Sequence, residues 1–364
     1  MVPPPSAATQ PDLRIPSLDG LRALAVGLVL ADHIGWGPVG PASLLWFAKA
    51  MHPGDLGVRI FFVISGFLIT TLLLREYERR GTISLRRFYF RRSLRILPPF
   101  IAFMTVYSIA TAAGVFTWKP GDALYAWTLT MNFHVTEAAW TLNHLWSLSI
   151  EEQFYLLWPS LLLLVGRRRA FALLAAVIVA SACWHLASYM DAAMSSFELR
   201  RTIRSVAQWI SAGALLAFSR ERLHAVRWYR EALAHPWLPV IVLVGATAAW
   251  TGLGYWRRSD LTMVGAVVGT VVLIDWAMTH PEHPLARPLN YAPIAWIGRI
   301  SYSLYLWQQP LVVDHAASWW LRQPQALLLL LPVAALSYYG VERPALRMRR
   351  RWERRLWPRA NGAA

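Results

Sequence analysis

Residues 18–36 read LDGLRALAVGLVLADHIGW. Between Asp19 and Arg22 at one end and Asp32 and His33 at the other, every residue is apolar or glycine. Such a run, with its charges held at the ends, reads as a helix built for a non-aqueous solvent. Arg22 and His33 stand eleven residues apart. At about 100° per residue this is three turns plus about 20°, so both project from one face with a rise of roughly 16 Å between them. Asp19 lies one turn below Arg22. Asp32 adjoins His33 in sequence but points about 100° away, which suits a partner on another helix.

The pattern repeats along the chain. After a first apolar stretch at about 19–35, others fall at 56–74, 96–116, 145–165, 170–188, 203–219, 236–254, 260–279, 294–314 and 324–341. Each is near the roughly 20 residues a bilayer requires. The stretch 120–135 reads as a re-entrant or interfacial piece. The 364 residues are 56% hydrophobic and 15% charged, with 20 Trp. A soluble domain is about one quarter charged, so this chain cannot cover a water-facing surface. Its aromatic content excludes a disordered chain. A single Cys, Cys183, excludes a disulfide framework and any cysteine-based metal cluster. The expected fold is all-α, a polytopic membrane bundle of about ten transmembrane helices.

Charge gives the orientation. Of the 36 basic residues, 27 fall on one side of an alternating ten-span path and 9 on the other. Positive residues favour the cytoplasmic side, so both termini are expected inside. This accounts for the net charge of +16 without nucleic acid, for which no reading motif is present. Residues 1–17 read as a disordered tail, 18–344 as the transmembrane domain and 345–364 as a basic tail. Trp352 and Trp357 suit that tail to the inner lipid headgroups. The internal repeat of many secondary transporters is not visible.

Ionisable groups inside spans are costly and point to function. His33 can accept and return a proton at neutral pH, or it can simply pack between helices. Arg59, in GDLGVRIFFVISGFLIT, sits one turn into the second span and wants an anion, a carboxylate or the headgroups. Ser65, beside Gly66, lies mid-span, where small residues let helices approach closely. In HLWSLSIEEQFYLLWP, Glu151 falls at a depth near that of His33, and one of Glu151 and Glu152 is expected to face His33 or Arg59. Asp275 and Asp314 read as structural pairings. Between Arg75 and Arg95, eight arginines interleaved with Phe88, Tyr89 and Phe90 could hold phosphates or serve only to set orientation.

Six segments, LDGLRALAVGLVLADH, GDLGVRIFFVISGFLIT, RRSLRILP, HLWSLSIEEQFYLLWP, GRISYSLYLWQQP and YYGVERP, follow in order from residue 18 to 344. Together they resemble the membrane-bound acyltransferase 3 family of bacterial O-acyltransferases. The family's Arg and His of the first span match Arg22 and His33, its RxxR matches Arg92 and Arg95, and its two motif glutamates match Glu151 and Glu342. Many members read YLWH where this chain has Gln308. The resemblance implies acyl-CoA, commonly acetyl-CoA, as cytoplasmic donor substrate, with no permanently bound cofactor. It implies a carbohydrate or glycolipid hydroxyl as acceptor. Arg22, Arg92 and Arg95 would hold the donor. His33 would act as base or be transiently acylated, assisted by Glu151 or Arg59. A soluble SGNH-type domain, carried by some relatives, is not expected, since the chain ends about 20 residues past its last span. The acceptor would then enter the membrane site, or a separate periplasmic protein would take the acyl group. Two alternatives remain open from sequence: a small secondary metabolite, such as a macrolide sugar, as acceptor, and a secondary transporter or flippase.

Overall fold

A computed structural model of the chain describes residues 15–35, 42–134, 137–190, 203–251, 260–312 and 324–357. Among the described residues there are helices and no β-strand. A chain in lipid must satisfy its backbone internally, and the helix does so within one segment. In order, the α-helices are α1 (Leu18–Gly35), α2 (Ala42–Met51), α3 (Pro53–Arg80), α4 (Leu85–Ala112), α5 (Asp122–Trp127) and α6 (Trp140–Asn143). Then come α7 (Leu145–Met190), α8 (Ile203–Ala225), α9 (Arg227–Ala234), α10 (Leu238–Thr251) and α11 (Asp260–Thr279). The last are α12 (Ala292–Arg299), α13 (Ser301–Val312), α14 (Gln325–Ser337) and α15 (Arg343–Leu356), the final two joined by a π-helical turn, Tyr338–Glu342.

Each predicted apolar stretch is helical over its described residues, with instructive breaks. Among the described residues three helical runs are long and apolar enough to cross a membrane: Pro53–Arg80, Leu85–Ala112 and Gln325–Leu356. α7 contains two predicted spans and bends between them at Gly166 (φ 76°, ψ 166°), a conformation outside the helical region that glycine adopts at no steric cost. The stretch predicted as one span over 294–314 is broken at Ile300 into α12 and α13. The stretch 120–135 forms only α5 and a short 3₁₀ turn, Met131–Phe133. Asp122 ties these together from a fully buried position, accepting from the backbone N–H of Lys119 at 2.8 Å and from His134 at 3.2 Å.

The packing explains the small residues. A Cβ at Gly66 of α3 would overlap the Ile210 carbonyl oxygen of α8, and one at Gly213 of α8 would overlap the Val63 carbonyl of α3. The two glycines thus bring these backbones into direct contact, the close approach that small residues permit between membrane helices. The main apolar cluster runs through this seam, with Phe62, Val63, Trp209 and Ile210 buried beside Val29 of α1.

Asp275 bears out its reading as a structural pairing. Fully buried on α11, it accepts from Arg220 Nε at 2.6 Å, the His224 imidazole at 2.9 Å and Tyr229 Oη at 2.7 Å. It thereby ties α8 and α9 to α11. Burial, then the hydrogen bond to this carboxylate, push the Tyr229 phenol above its usual range. Asp314 lies outside the described residues.

Described residues near both ends make specific contacts. Ser17, at the end of the stretch read as a tail, is buried: its N–H donates to Asn290 and its hydroxyl to the Ala277 carbonyl, both at 2.8 Å. The described part of the basic C-terminal segment is α15, docked on the start of α4. Phe90 packs on Trp352 and Trp357 at 6.3 and 5.5 Å, Arg87 lies over the Trp357 ring at 5.2 Å, and Arg91 pairs with Glu353. Glu353 is the one acid among the basic residues of 343–359, and it meets a cation that would otherwise repel this helix.

Candidate active site

The arginines read as a loop lie on two helices. Gly81, at φ 71°, closes α3 in the left-handed conformation, its N–H bonding to the Tyr77 carbonyl at 2.7 Å. Ser84 then caps α4 through its hydroxyl. Helical spacing does the rest: Arg75 and Arg79 on α3, and Arg87, Arg91 and Arg95 on α4, recur every four residues and share a face.

Those faces line a cavity of about 460 Å³ together with Arg22 of α1, Arg80, Arg92, Glu76 and Arg349 of α15. A second cavity, of about 90 Å³, shares Arg22, Ser65, Arg92, Arg95 and Tyr155 with the first and adds Glu151, Tyr302 and Tyr305. A third, of about 40 Å³, shares Val58 and Tyr305 with the second and is lined by Asp32, His33, Asp55, His144 and Gln309. The three follow one another from guanidiniums to imidazole.

Within this path the predicted residues separate into groups. Arg92 donates to Glu152 Oε1 at 3.4 Å and lies over the Tyr155 ring at 3.5 Å. Glu151 accepts from Ser65 Oγ at 2.9 Å and from Tyr155 Oη at 3.1 Å. Arg22 keeps Asp19 at 3.7 Å. The expectation that a glutamate of this pair faces His33 or Arg59 therefore gives way. Depth along a helix does not fix direction around it, and both glutamates turn toward Ser65, Tyr155 and Arg92.

His33 is held from another quarter. Its Nδ1 lies 2.6 Å from Gln308 Oε1 on α13, and Trp140 meets the ring edge-on at 5.8 Å. Asp32 packs against Gly54 at the start of α3, so its expected partner helix is the next long one. Arg59 is wholly buried and does not reach headgroups. It donates to the Asp55 carbonyl at 3.0 Å, keeps the Asp55 carboxylate at 3.8 Å and lies 5.8 Å over Trp209. It lines none of these three cavities. Glu342, in the π turn, is also buried and accepts from Ser303 Oγ at 3.2 Å, linking the end of α14 to α13.

Sequence reasoning passed over Tyr155, His144, Tyr305 and Arg349. Tyr155 follows Glu151 by four residues, one helical turn, and that spacing was a usable signal. Tyr305 precedes Gln308 by three; its hydroxyl donates to the His144 carbonyl at 3.1 Å and bonds Ser147 Oγ at 2.6 Å. Nothing in local spacing ties Arg349 to α4.

A cationic cavity, a narrow polar passage and an imidazole beyond it suit transfer of a group carried by a polyanion. Comparison with known proteins gives the family. A family model described as an acyltransferase domain (acyltransferase 3) matches residues 15–341. The peptidoglycan O-acetyltransferase OatA of Listeria monocytogenes serovar 1/2a is 31% identical over 362 residues, covering 91% of this chain and 55% of that protein. The putative peptidoglycan O-acetyltransferase YrhL of Bacillus subtilis is 28% identical over 376 residues, covering 92% and 55%. A putative O-acetyltransferase of Staphylococcus aureus (strain COL) is 30% identical over 324 residues, covering 80% and 50%. The chain thus spans about half the length of these curated relatives. No solved structure matches. With nearly the whole helical bundle inside the matched range, the chain belongs to the acyltransferase 3 family of membrane proteins.

Proposed function

We propose that this protein is an O-acyltransferase of the bacterial cytoplasmic membrane. It moves an acyl group, acetyl by analogy with its relatives, from cytoplasmic acyl-CoA to a hydroxyl of a cell-surface carbohydrate. The observation that carries this reading is the succession of cavities from the arginines of α3 and α4 to His33, each sharing lining residues with the next. CoA combines a phosphorylated nucleotide with a long thin arm. Guanidiniums hold phosphates through paired, charge-assisted hydrogen bonds. Arg22, Arg92 and Arg95, which line both of the first two cavities, are the residues this reading assigns to the donor. The arm then follows α1 for roughly 16 Å toward His33.

At His33 the acceptor hydroxyl gives its proton to the imidazole as its oxygen attacks the thioester carbonyl. The carbon–sulfur bond breaks, the thiolate leaves, and the imidazolium returns the proton to sulfur, so the enzyme ends as it began. Glu151, bonded to Ser65 and Tyr155, serves the donor side of the passage in this scheme and does not orient His33. The names of the relatives point to a glycan of the peptidoglycan kind as acceptor class.

The test uses purified protein in proteoliposomes with acetyl-CoA. Thiol release that depends on added glycan acceptor is expected, and His33→Ala should lower it by about a hundredfold or more while the protein stays folded. Full activity of His33→Ala would remove the mechanism. Substrate uptake without thiol release would replace the enzyme by a transporter.

A further inference from the structure

The acyl-transfer reading leaves open what fixes the chemistry of the imidazole, and it gives no role to Gln308. Gln308 is fully buried on α13, 275 residues from His33 in sequence, with its Oε1 at 2.6 Å from His33 Nδ1. A carboxamide oxygen only accepts a hydrogen bond. The ring nitrogen facing it must therefore donate. Neutral imidazole has one N–H, so a proton on Nδ1 puts the basic lone pair on Nε2. With the oxygen on the ring, the buried Gln308 Nε2 makes no hydrogen bond among the described residues; the opposite arrangement, an amide N–H donating to Nδ1, would leave the oxygen so instead.

We infer that Gln308 is a positioning residue that holds His33 in the Nδ1–H tautomer, so that Nε2 is the atom that takes the acceptor's proton. This rests on the acyl-transfer reading for its catalytic meaning but not for the tautomer itself. A neutral acceptor suits the task. It orients the ring without adding charge, so the imidazolium is not stabilised to the point of withholding its proton from the leaving thiolate. The cavity that His33 lines also carries Asp32, Asp55, His144, Tyr305 and Gln309, with Trp140 against the ring. All of them are retained in every variant, and Gln308→Met, which adds no charge, leaves their ionic surroundings unchanged.

Two measurements test the inference. The first needs no turnover. Imidazole ¹⁵N labelling of the whole protein, with the His33→Ala spectrum subtracted, reads the tautomer directly. The Nδ1–H form is expected in the wild type, and loss of that preference in Gln308→Met. A wild-type Nε2–H form would overturn the inference.

The second is the pH profile of acyl transfer. Gln308→Glu keeps the shape and the accepting oxygen but adds a negative charge beside the ring. The acid limb should move to higher pH by about one unit or more, an opposite charge at hydrogen-bond distance favouring the protonated ring. Gln308→Met, similar in length, should lose at least about tenfold in kcat with the KM for acyl-CoA unchanged. If residue 308 does not face the ring nitrogen, the acid limb of Gln308→Glu will coincide with that of the wild type, and that result would also overturn the inference. Should Gln308→Met fail to fold, the glutamate variant and the wild-type spectrum still decide. If the wild type transfers no acyl group at all, the functional reading falls while the spectrum continues to judge the tautomer.

Discussion

Arg95 offers the cleanest separation of donor binding from stability. It lines both the arginine cavity and the passage beyond it, and among the described residues it makes no hydrogen bond or ion pair. Its neighbour Arg92 is different: removing Arg92 strips the cation from Glu152 and empties the face of Tyr155, so its loss perturbs folding as well as binding. Arg95→Ala breaks no direct ion pair, but it removes a cation whose charge acts on the buried Glu342 carboxylate, so the Tm is read beside the KM. A hydrogen bond to a charged group contributes about 1.5–3 kcal/mol. At about 1.4 kcal/mol per tenfold, that is a rise in donor KM of about tenfold to somewhat over a hundredfold. Eight other arginines line the same cavity and retain much of its field, which places the effect toward the lower end. The assay is thiol release against acyl-CoA concentration in proteoliposomes, at two ionic strengths. The KM should rise about tenfold, kcat should change little, and the gap between variant and wild type should narrow as salt screens the site. An unchanged dependence on acyl-CoA would refute the assignment of this cavity to the donor.

Other consequences are equally specific. Gly66→Leu or Gly213→Leu forces α3 and α8 apart, and the overpacking should cost about 1–3 kcal/mol or more, read as a lower Tm in detergent; an unchanged Tm would contradict the close contact. Asp275→Ala leaves Tyr229, His224 and Arg220 without their acceptor and should cost about 1–3 kcal/mol, with the contribution of the one-third exposed Arg220 at the low end. Its activity loss should follow unfolding, with the acyl-CoA KM of the folded fraction unaltered. Glu353→Ala combined with Trp357→Ala should loosen α15 from α4, open 343–356 to limited proteolysis, and raise the acyl-CoA KM by about fivefold as Arg349 draws away, a weakening of about 1 kcal/mol. Protease resistance equal to the wild type would show that these contacts do not hold the helix.

Much of the fold was legible because a bilayer leaves the chain few choices. Long apolar runs become helices, and the three-turn spacing of Arg22 and His33 sends one to the arginine cavity and the other to the cavity beyond the passage. What failed was pairing between helices. Glu151 and His33 lie at similar computed depths, yet direction around the helix turned Glu151 toward Ser65 and Tyr155. Gln308 could be noticed as a departure from its relatives, but its bond to His33 crosses 275 residues and is set by how α13 packs on α1. Arg59 hid a simpler signal: Asp55 precedes it by four residues, the spacing of a local ion pair, and that pair is what forms. The docking partner of the tail was hidden for a related reason. A basic helix with tryptophans suits headgroups in isolation, but one glutamate and one phenylalanine at matching heights gave it a protein partner.

The charge of the first cavity bears on how these parts work together. Nine arginines and one glutamate line it. Like charges so close repel one another, and burial adds a desolvation cost that exposed cations avoid. A scaffold selected for stability alone would have no reason to collect them there, and headgroups could satisfy an orientation signal from outside. Some of these cations have acidic partners, Glu76 on Arg80, Glu353 on Arg91, Asp19 on Arg22 and Glu152 on Arg92. The nine guanidiniums outnumber these acids, so positive charge remains in excess in the cavity where a polyanion would enter. Phosphates bound there would relieve the repulsion, so acyl-CoA, and CoA itself, should stabilise the folded protein in a manner that weakens with salt. Under the proposed function the arginines would do two things at once: recognise the donor, and make the empty site the less stable state, which favours loading before His33 is engaged.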